Sequence, residues 1–163
     1  MPPQEPPEEY NILEHASRVA DELVEYIASE LSAEEWERVN NLFESKRKDN
    51  KDLRMFNTQL AMVFGLNEAI FLHQLRGILK YDSRAKVIHD YRGSWKGFFN
   101  NYKGWLKVLP MLSKSTLERT VARLEKLQIL YSKRGPWQKY YGINFKALLY
   151  FLDHPEDMKQ LLK

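Results

Sequence analysis

The run SKSTLERTVARLEKLQIL, Ser113 to Leu130, places hydrogen-bonding and charged side chains at helical spacing. On a helical wheel Leu117, Val121, Leu124 and Gln128 share one side, flanked by Thr120 and Leu127. The opposite side carries Ser115, Arg119, Ala122, Arg123 and Lys126, with Glu118 at its edge. These side chains suit recognition of a polyanion that has readable edges. Arg119 has the fork that bonds two acceptors of guanine, and Glu118 can accept from cytosine. Lys114 and Ser115 stand at the N-terminal end, which lies nearest the base edges when such a helix enters a major groove. Thr116 and Arg123 sit where phosphates would pass, and the small Ala122 permits close approach. The same face also reads as plain solvated surface, with Lys114 and Glu118 paired at i, i+4.

The neighbouring residues move the balance towards DNA. Lys103 and Lys107 lie four apart on the preceding helix, and Lys133, Arg134 and Lys139 crowd the hairpin that follows. Residues 53–145 contain 16 bases and 5 acids, a net of +11. Phosphate contacts from several of these bases would dominate affinity and make it salt-sensitive. The whole-chain charge of +3 hides this polarity. Residues 1–44 hold 12 acids and 2 bases, a net of −10, whereas residues 45–163 hold 10 acids and 23 bases, a net of +13. The split describes a polyanion-binding body with an acidic arm, or two solvated surfaces of opposite sign. An acidic arm of this kind would compete with DNA for the basic face, or serve self-association.

Other chemistries find little support. The four histidines, His15, His73, His89 and His154, are scattered, and none lies at i, i+4 from another. His89 and Asp90 are adjacent in an expected strand, so they point to opposite faces. His73, inside an apolar helix, reads as a half-buried side chain rather than a ligand. The body has no Gly-rich phosphate loop, no Gly-x-Ser-x-Gly and no acidic metal cluster. With no cysteine there is no disulfide, thiolate zinc site or catalytic thiol. The expectation is a protein without catalysis, metal or cofactor. No stretch approaches the ~18 apolar residues of a membrane span, and MPPQEPPEEY lacks the pattern of a signal peptide. A cytoplasmic location follows as an expectation.

The elements that must position these side chains are legible in outline. Residues 1–9 are rich in Pro and Glu and read as a disordered tail. Residues 10–44 read as an acidic helical hairpin whose apolar stripes are buried together or on the body. Its first helix carries Ile12, Ala16, Val19, Leu23, Ile27 and Leu31; its second begins at the capping box Ser32-x-x-Glu35 and carries Trp36, Val39, Leu42 and Phe43. Residues 45–54 are polar and basic and read as a linker. A body over 55–153 follows, with 154–163 as a C-terminal tail. Within the body a short helix ends at Gly65, and Asn67 is the expected cap of the next, with Ile70, Leu72, Leu75, Ile78 and Leu79 as its stripe. One or two strands follow around Gly93 and Gly97, then a short helix capped by Asn100 or Asn101 and stopped at Pro110. Ser113 opens the next helix, which runs to about Leu127. A strand over 129–133, a turn at RGPW, a return strand over 138–143 and a helix FKALLYFLDH complete the body. Trp95, Phe98 and Trp105 are expected in the core, and Trp137 beside the turn either packs or stacks on a sugar or base.

This order is the connectivity of a winged helix-turn-helix: mainly α, with a small antiparallel β wing, preceded here by the acidic hairpin. GLNEAIFLHQL, NNYKGW, PMLSKSTLERTVARLEKLQIL and YYGINFKAL, over roughly residues 56–152, resemble a family pattern. They are similar to the winged-helix N-terminal domains of phage and plasmid replication proteins, the replisome organisers and their bacterial primosomal relatives. The resemblance implies double-stranded DNA binding in replication initiation or regulation, often with self-association as a homodimer or higher oligomer and with a replication-protein partner. Such domains often have Gly between the third helix and the next strand, where this chain has Gln128. The wing is short, and residues 1–44 lie outside the resemblance. A transcriptional regulator and a protein-interaction module on the same fold are the alternatives.

Overall fold

The computed structural model describes residues 30–43, 56–136 and 138–162. In these, helix α1 spans Ala33–Phe43, α2 Thr58–Phe64 and α3 Leu66–Tyr81. Strands β1 (Lys86–Asp90) and β2 (Gly93–Asn100) form a hairpin. Helices α4 (Tyr102–Val108) and α5 (Lys114–Lys126) follow, then β3 (Leu130–Arg134), β4 (Lys139–Ile143), α6 (Phe145–Asp153) and α7 (Pro155–Leu161). The four strands make one antiparallel sheet in the order β1-β2-β4-β3. The described chain is thus mainly helical with a small antiparallel sheet.

Several boundaries follow from side-chain caps. Ser32 and Glu35 form the reciprocal box at the start of α1: Glu35 N–H donates to Ser32 Oγ at 3.2 Å, and Ser32 N–H to Glu35 Oε1 at 3.0 Å. Asn101 caps α4, accepting from Gly104 N–H at 2.8 Å, and Asn144 caps α6, accepting from Ala147 N–H at 3.2 Å. The expected cap at Asn67 is incorrect, because α3 already begins at Leu66. Gly65, at φ 112°, ends α2 and turns the chain into α3 without a side-chain cap. Asn57 instead caps α2, through Leu60 N–H at 3.1 Å.

One core runs through nearly every element. Leu72 and Leu75 of α3, Leu117, Val121 and Leu124 of α5, and Ala147 and Leu148 of α6 have no exposure. Phe98, Leu130, Tyr141 and Ile143 close it from the sheet, and Ala69 and Phe71 carry the α3 stripe further round than Ile70 and Ile78, which are half-buried. Val39 and Leu42 of α1 belong to the same core. Arg38 grips Asp153 with both guanidinium arms, and Lys146 pairs with Glu35 at 2.7 Å. Of the two arrangements left open for the hairpin's stripes, its second helix therefore takes burial on the body. The rest of that hairpin, the tail over 1–9 and the linker over 45–54 lie outside the described residues. Residues 154–163, read as a tail, contain α7, which buries Met158 and Leu161. Pro155 opens it at a position where a missing N–H costs nothing.

The other face of the sheet has its own smaller packing. The Trp95 indole lies over Gly97 and Gly142; a Cβ at Gly142 would fall 2.4 Å from it. Ile88 pairs with Trp95 across β1 and β2, and Tyr131 meets the indole at 5.5 Å. Arg92 completes the cluster. Its guanidinium sits 5.1 Å from the Tyr91 and Trp95 rings and 4.8 Å from Tyr131. It donates to Asp90 at 2.7 Å and to the Ser132 carbonyl at 3.0 Å, which ties the β1–β2 hairpin to β3. The Arg92 and Asp90 side chains are 9% and 2% exposed.

Helix α5 ends on a non-glycine residue in the left-handed region, Gln128 at φ 59°. Gln128 N–H donates to Glu125 O at 3.0 Å and Ile129 N–H to Leu124 O at 3.1 Å, the paired bonds of a left-handed helix cap. A side chain in that conformation costs about 1 kcal/mol or more. Gln128→Gly is therefore expected to raise the unfolding free energy, by roughly 0.5–1 kcal/mol after the lost side-chain packing. Urea denaturation tests this; a loss of stability would refute it.

Acid should act through Asp90. Burial alone would raise its pKa, but the hydrogen bonds and charge of Arg92 outweigh this and hold the carboxyl below its usual range. A depressed carboxyl stabilises the fold above its unfolded pKa of about 3.9, and that contribution is lost as pH falls through the folded value. Asp90→Asn is expected to be less stable than the parent at neutral pH, with the gap closing as pH falls from about 5 to 2. Thermal melts across that range measure the gap, and a constant difference would contradict the assignment.

Candidate nucleic-acid interface

Helix α4 and helix α5 meet through a short connection anchored by Leu109 and Leu112, 0% and 8% exposed. Ser113 starts α5: its Oγ accepts from Thr116 N–H at 3.2 Å and donates to Thr116 Oγ1 at 2.9 Å. Arg119 Nη2 donates to the same Thr116 oxygen at 3.4 Å. The first turn is therefore a short polar chain from Ser113 through Thr116 to Arg119. Thr120 turns inward and donates to Thr116 O at 2.8 Å.

The helical face divides as its periodicity requires. Leu117, Thr120, Val121 and Leu124 are buried, and Lys114, Ser115, Glu118, Arg119 and Ala122 are exposed. Thr116, Arg123 and Lys126 are half-buried along the edges. Lys114 and Glu118 approach to 3.9 Å with 70% and 47% of their side chains exposed. Such a pair contributes little and screens readily.

Two acids that sequence reasoning gave no role hold the edges in place. Glu125 accepts from Ser132 Oγ at 2.9 Å and pairs with Lys139 at 3.7 Å, fastening the β3–β4 hairpin to α5. Glu68, in the first turn of α3, lies 3.6 Å from Arg123. These contacts join residues on different elements, so no helical or strand spacing announces them. The Tyr102 phenol of α4 has its pKa pushed up by burial, and then by the nearby carboxylates of Glu125 and Glu118.

The expected basic residues thus fall into two groups. Lys114, Arg123 and Lys139 are engaged by acids. Lys103 and Lys107 on α4, Arg119 and Lys126 on α5, and Lys133 and Arg134 on β3 make no ion pair among the described residues, and Lys103, Lys107, Arg119 and Arg134 are exposed. Helix α4 and strand β3 both pack against α5. Trp137 lies outside the described residues.

A second concave surface lies between α1, α3, α6 and the sheet. This groove, about 680 Å³, is lined among others by Trp36, Arg76, Lys80, Trp95, Lys96 and Phe145. Arg76 stacks over Phe145 at 5.5 Å and donates to Asn40 at 2.9 Å; burial lowers its pKa.

The chain is defined by these features as a mainly helical protein with a small antiparallel sheet and a capped helix bearing basic residues beside a basic hairpin. Comparison with known protein families, characterised proteins and solved structures finds no match. Among the described residues no cluster of His, Asp and Glu could hold a metal, and no helix is long and apolar enough to cross a membrane.

Removing the Ser113 hydroxyl should fray the first turn that carries the exposed face. Ser113→Ala is expected to cost about 1 kcal/mol of stability. Chemical denaturation gives the value; a change near zero would mean that Ser113 does not cap α5.

Proposed function

We propose that this protein binds double-stranded DNA through a winged helix-turn-helix and catalyses nothing. In this reading α3, α4 and α5 are the three helices, α5 enters the major groove, and β3 and β4 make the wing. The pairing of β2 with β4 and of β4 with β3, after this helix order, supports that reading. The observation that carries the function is the exposed Lys114–Ser115–Glu118–Arg119 face of α5, with Ala122 leaving room beside it. Ser115, Glu118 and Arg119 meet base edges. Lys103, Lys107, Lys126, Lys133 and Arg134 meet phosphates. We read this binding as part of replication initiation by a phage, plasmid or bacterium, with self-association and a replication-protein partner, as the resemblance of the sequence motifs implies; the alternative is transcriptional regulation through the same contacts.

Binding should be strongly salt-dependent. Five phosphates neutralised by those five bases give a slope of log K against log salt of about −4 to −5. Arg119→Ala should relax sequence preference, whereas Lys133→Ala or Arg134→Ala should weaken binding to all sequences alike. Fluorescence anisotropy with duplexes of varied sequence measures both. An absence of binding at low salt sinks the proposal.

The groove favours a second reading, a protein-interaction module. Arg76, Lys80 and Lys96 outnumber the acid Glu30 among its lining residues, and Trp36 stands 43% exposed at its edge. An acidic segment of a partner protein fits that charge and those rings. Failure to bind DNA, together with a saturable change in tryptophan fluorescence on adding a Glu-rich peptide, would favour this reading.

A further inference from the structure

Arg123 lies one helical turn beyond Arg119 on α5, where phosphates would pass. Its side chain is 38% exposed, and the other partner, Glu68, is 11% exposed. Nη1 of Arg123 is 3.6 Å from Glu68 Oε1. That distance is an ion pair without a hydrogen bond. The Arg123 Nε is buried and has no hydrogen-bond partner. The guanidinium is thus held by charge and packing rather than by directed bonds.

The backbone beneath Glu68 makes room for this arrangement. A Cβ at Gly65 would fall 2.4 Å from Glu68 Oε2 and 3.7 Å from Arg123 Nη1. Gly65 also has φ 112°, a conformation that disfavours any side chain. The carboxylate therefore lies against the turn between α2 and α3, at the N-terminal end of α3, where a negative charge is favoured. It is aimed at a helix face made from a different part of the chain.

We propose that Glu68 is a positioning residue that withholds Arg123 from DNA, and so sets how many phosphates the α5 face neutralises. The inference rests on the DNA-binding reading above. Glu118 does not act in the same way, because its pair with Lys114 is open to solvent and weak. A phosphate approaching Arg123 must compete with a carboxylate already fixed beside it. Removal of that carboxylate's charge releases Arg123 to the phosphate.

The test measures affinity against salt for the full chain on a duplex of arbitrary sequence. Glu68→Gln should steepen the slope of log K against log salt by about 0.9, the contribution of one further phosphate contact. It should also tighten binding several-fold at low salt. Arg123→Gln alone should leave the parent slope unchanged. Glu68→Gln with Arg123→Gln, which keeps the parent's net charge, should return the slope to the parent value. An unchanged or shallower slope for Glu68→Gln overturns the proposal. So does a shallower slope for Arg123→Gln alone, which does not depend on how Glu68→Gln folds and would mean that Arg123 already meets phosphate. Lack of binding by the parent at low salt would refute the DNA reading itself; parent binding with no response to Glu68→Gln refutes only the role of Glu68.

Discussion

Trp105 has no solvent exposure and stands where α3, α4 and two strands converge. Its ring meets Phe71 of α3 at 4.7 Å, Phe98 of β2 at 6.1 Å and Tyr141 of β4 at 5.5 Å. The Phe98 and Tyr141 contacts are edge-on, the geometry that aromatic quadrupoles prefer. Phe98 and Tyr141 are themselves paired across β2 and β4. A seven-residue helix such as α4 has too few backbone bonds to stand alone. Its orientation therefore depends on packing, with this indole as its one fully buried side chain and Leu109 anchoring its end. Because only Leu109 to Ser113 separate α4 from α5, the placement of α4 also sets where α5 begins.

How far the fold can be read from sequence depends on the range of the forces involved. Ser32, Asn101 and Ser113 are legible as caps because each acts on the amide three residues ahead. The inward side of α5 is legible because one helical period sorts Leu117, Val121 and Leu124 from Ser115 and Arg119. The second helix of the acidic arm is a different case. Its sequence shows an apolar stripe but not what covers it, and the basic run after it looks like a domain boundary. Val39 and Leu42 join the body's core and α1 packs against α3, while Arg38 reaches Asp153 across 115 positions. α7 escapes notice because its apolar signal is short: Met158 and Leu161 are its buried residues, and the bond from the Tyr150 hydroxyl to Asp157 cannot be read from spacing. Asn67 misleads for a local reason: it is a good capping residue one position inside a helix that Gly65 has already started.

The candidate site divides in the same way. Residue types and spacing pick out its side chains, but not which of its charges are already engaged. Sixteen bases against five acids describe a basic body, yet those few acids are placed with effect. Glu125 takes Lys139, Glu68 takes Arg123, and Asp90 takes Arg92. Glu125 and Glu68 each join two elements, and Asp90 holds the Arg92 that reaches β3, so each removes a positive charge from the surface while fixing the geometry of the remainder. Net charge therefore overstates the number of cations offered to a polyanion, and among the expected interface residues the unpaired ones lie on α4, α5 and β3.

The link between α5 and β3 is the point where backbone conformation and charge placement meet. Gln128 enters the left-handed region and the chain reverses within three residues, from Lys126 to Leu130. The turn buries Leu127, Ile129 and Leu130, and Asn144 N–H donates to Ile129 O at 2.8 Å, which fixes the turn against the end of β4. From there the strand's alternation decides which way each residue faces. Tyr131 and Lys133 fall on the side of Trp95, and Ser132 and Arg134 on the side of α5. Glu125 then binds Ser132 on β3 and Lys139 on β4, holding both strands at one level along the helix. The position of Arg134 relative to Arg119 is thus set by a strained residue that carries no charge and by an acid that faces the hairpin. A glycine at 128 would make the same turn with less strain. The burial of the Gln128 side chain, 6% exposed, and its bond to Glu125 O at 3.4 Å restrict the turn further than glycine would. Rigidity at this junction is what the proposed DNA-binding face would need, because base edges and phosphates are met at fixed separations.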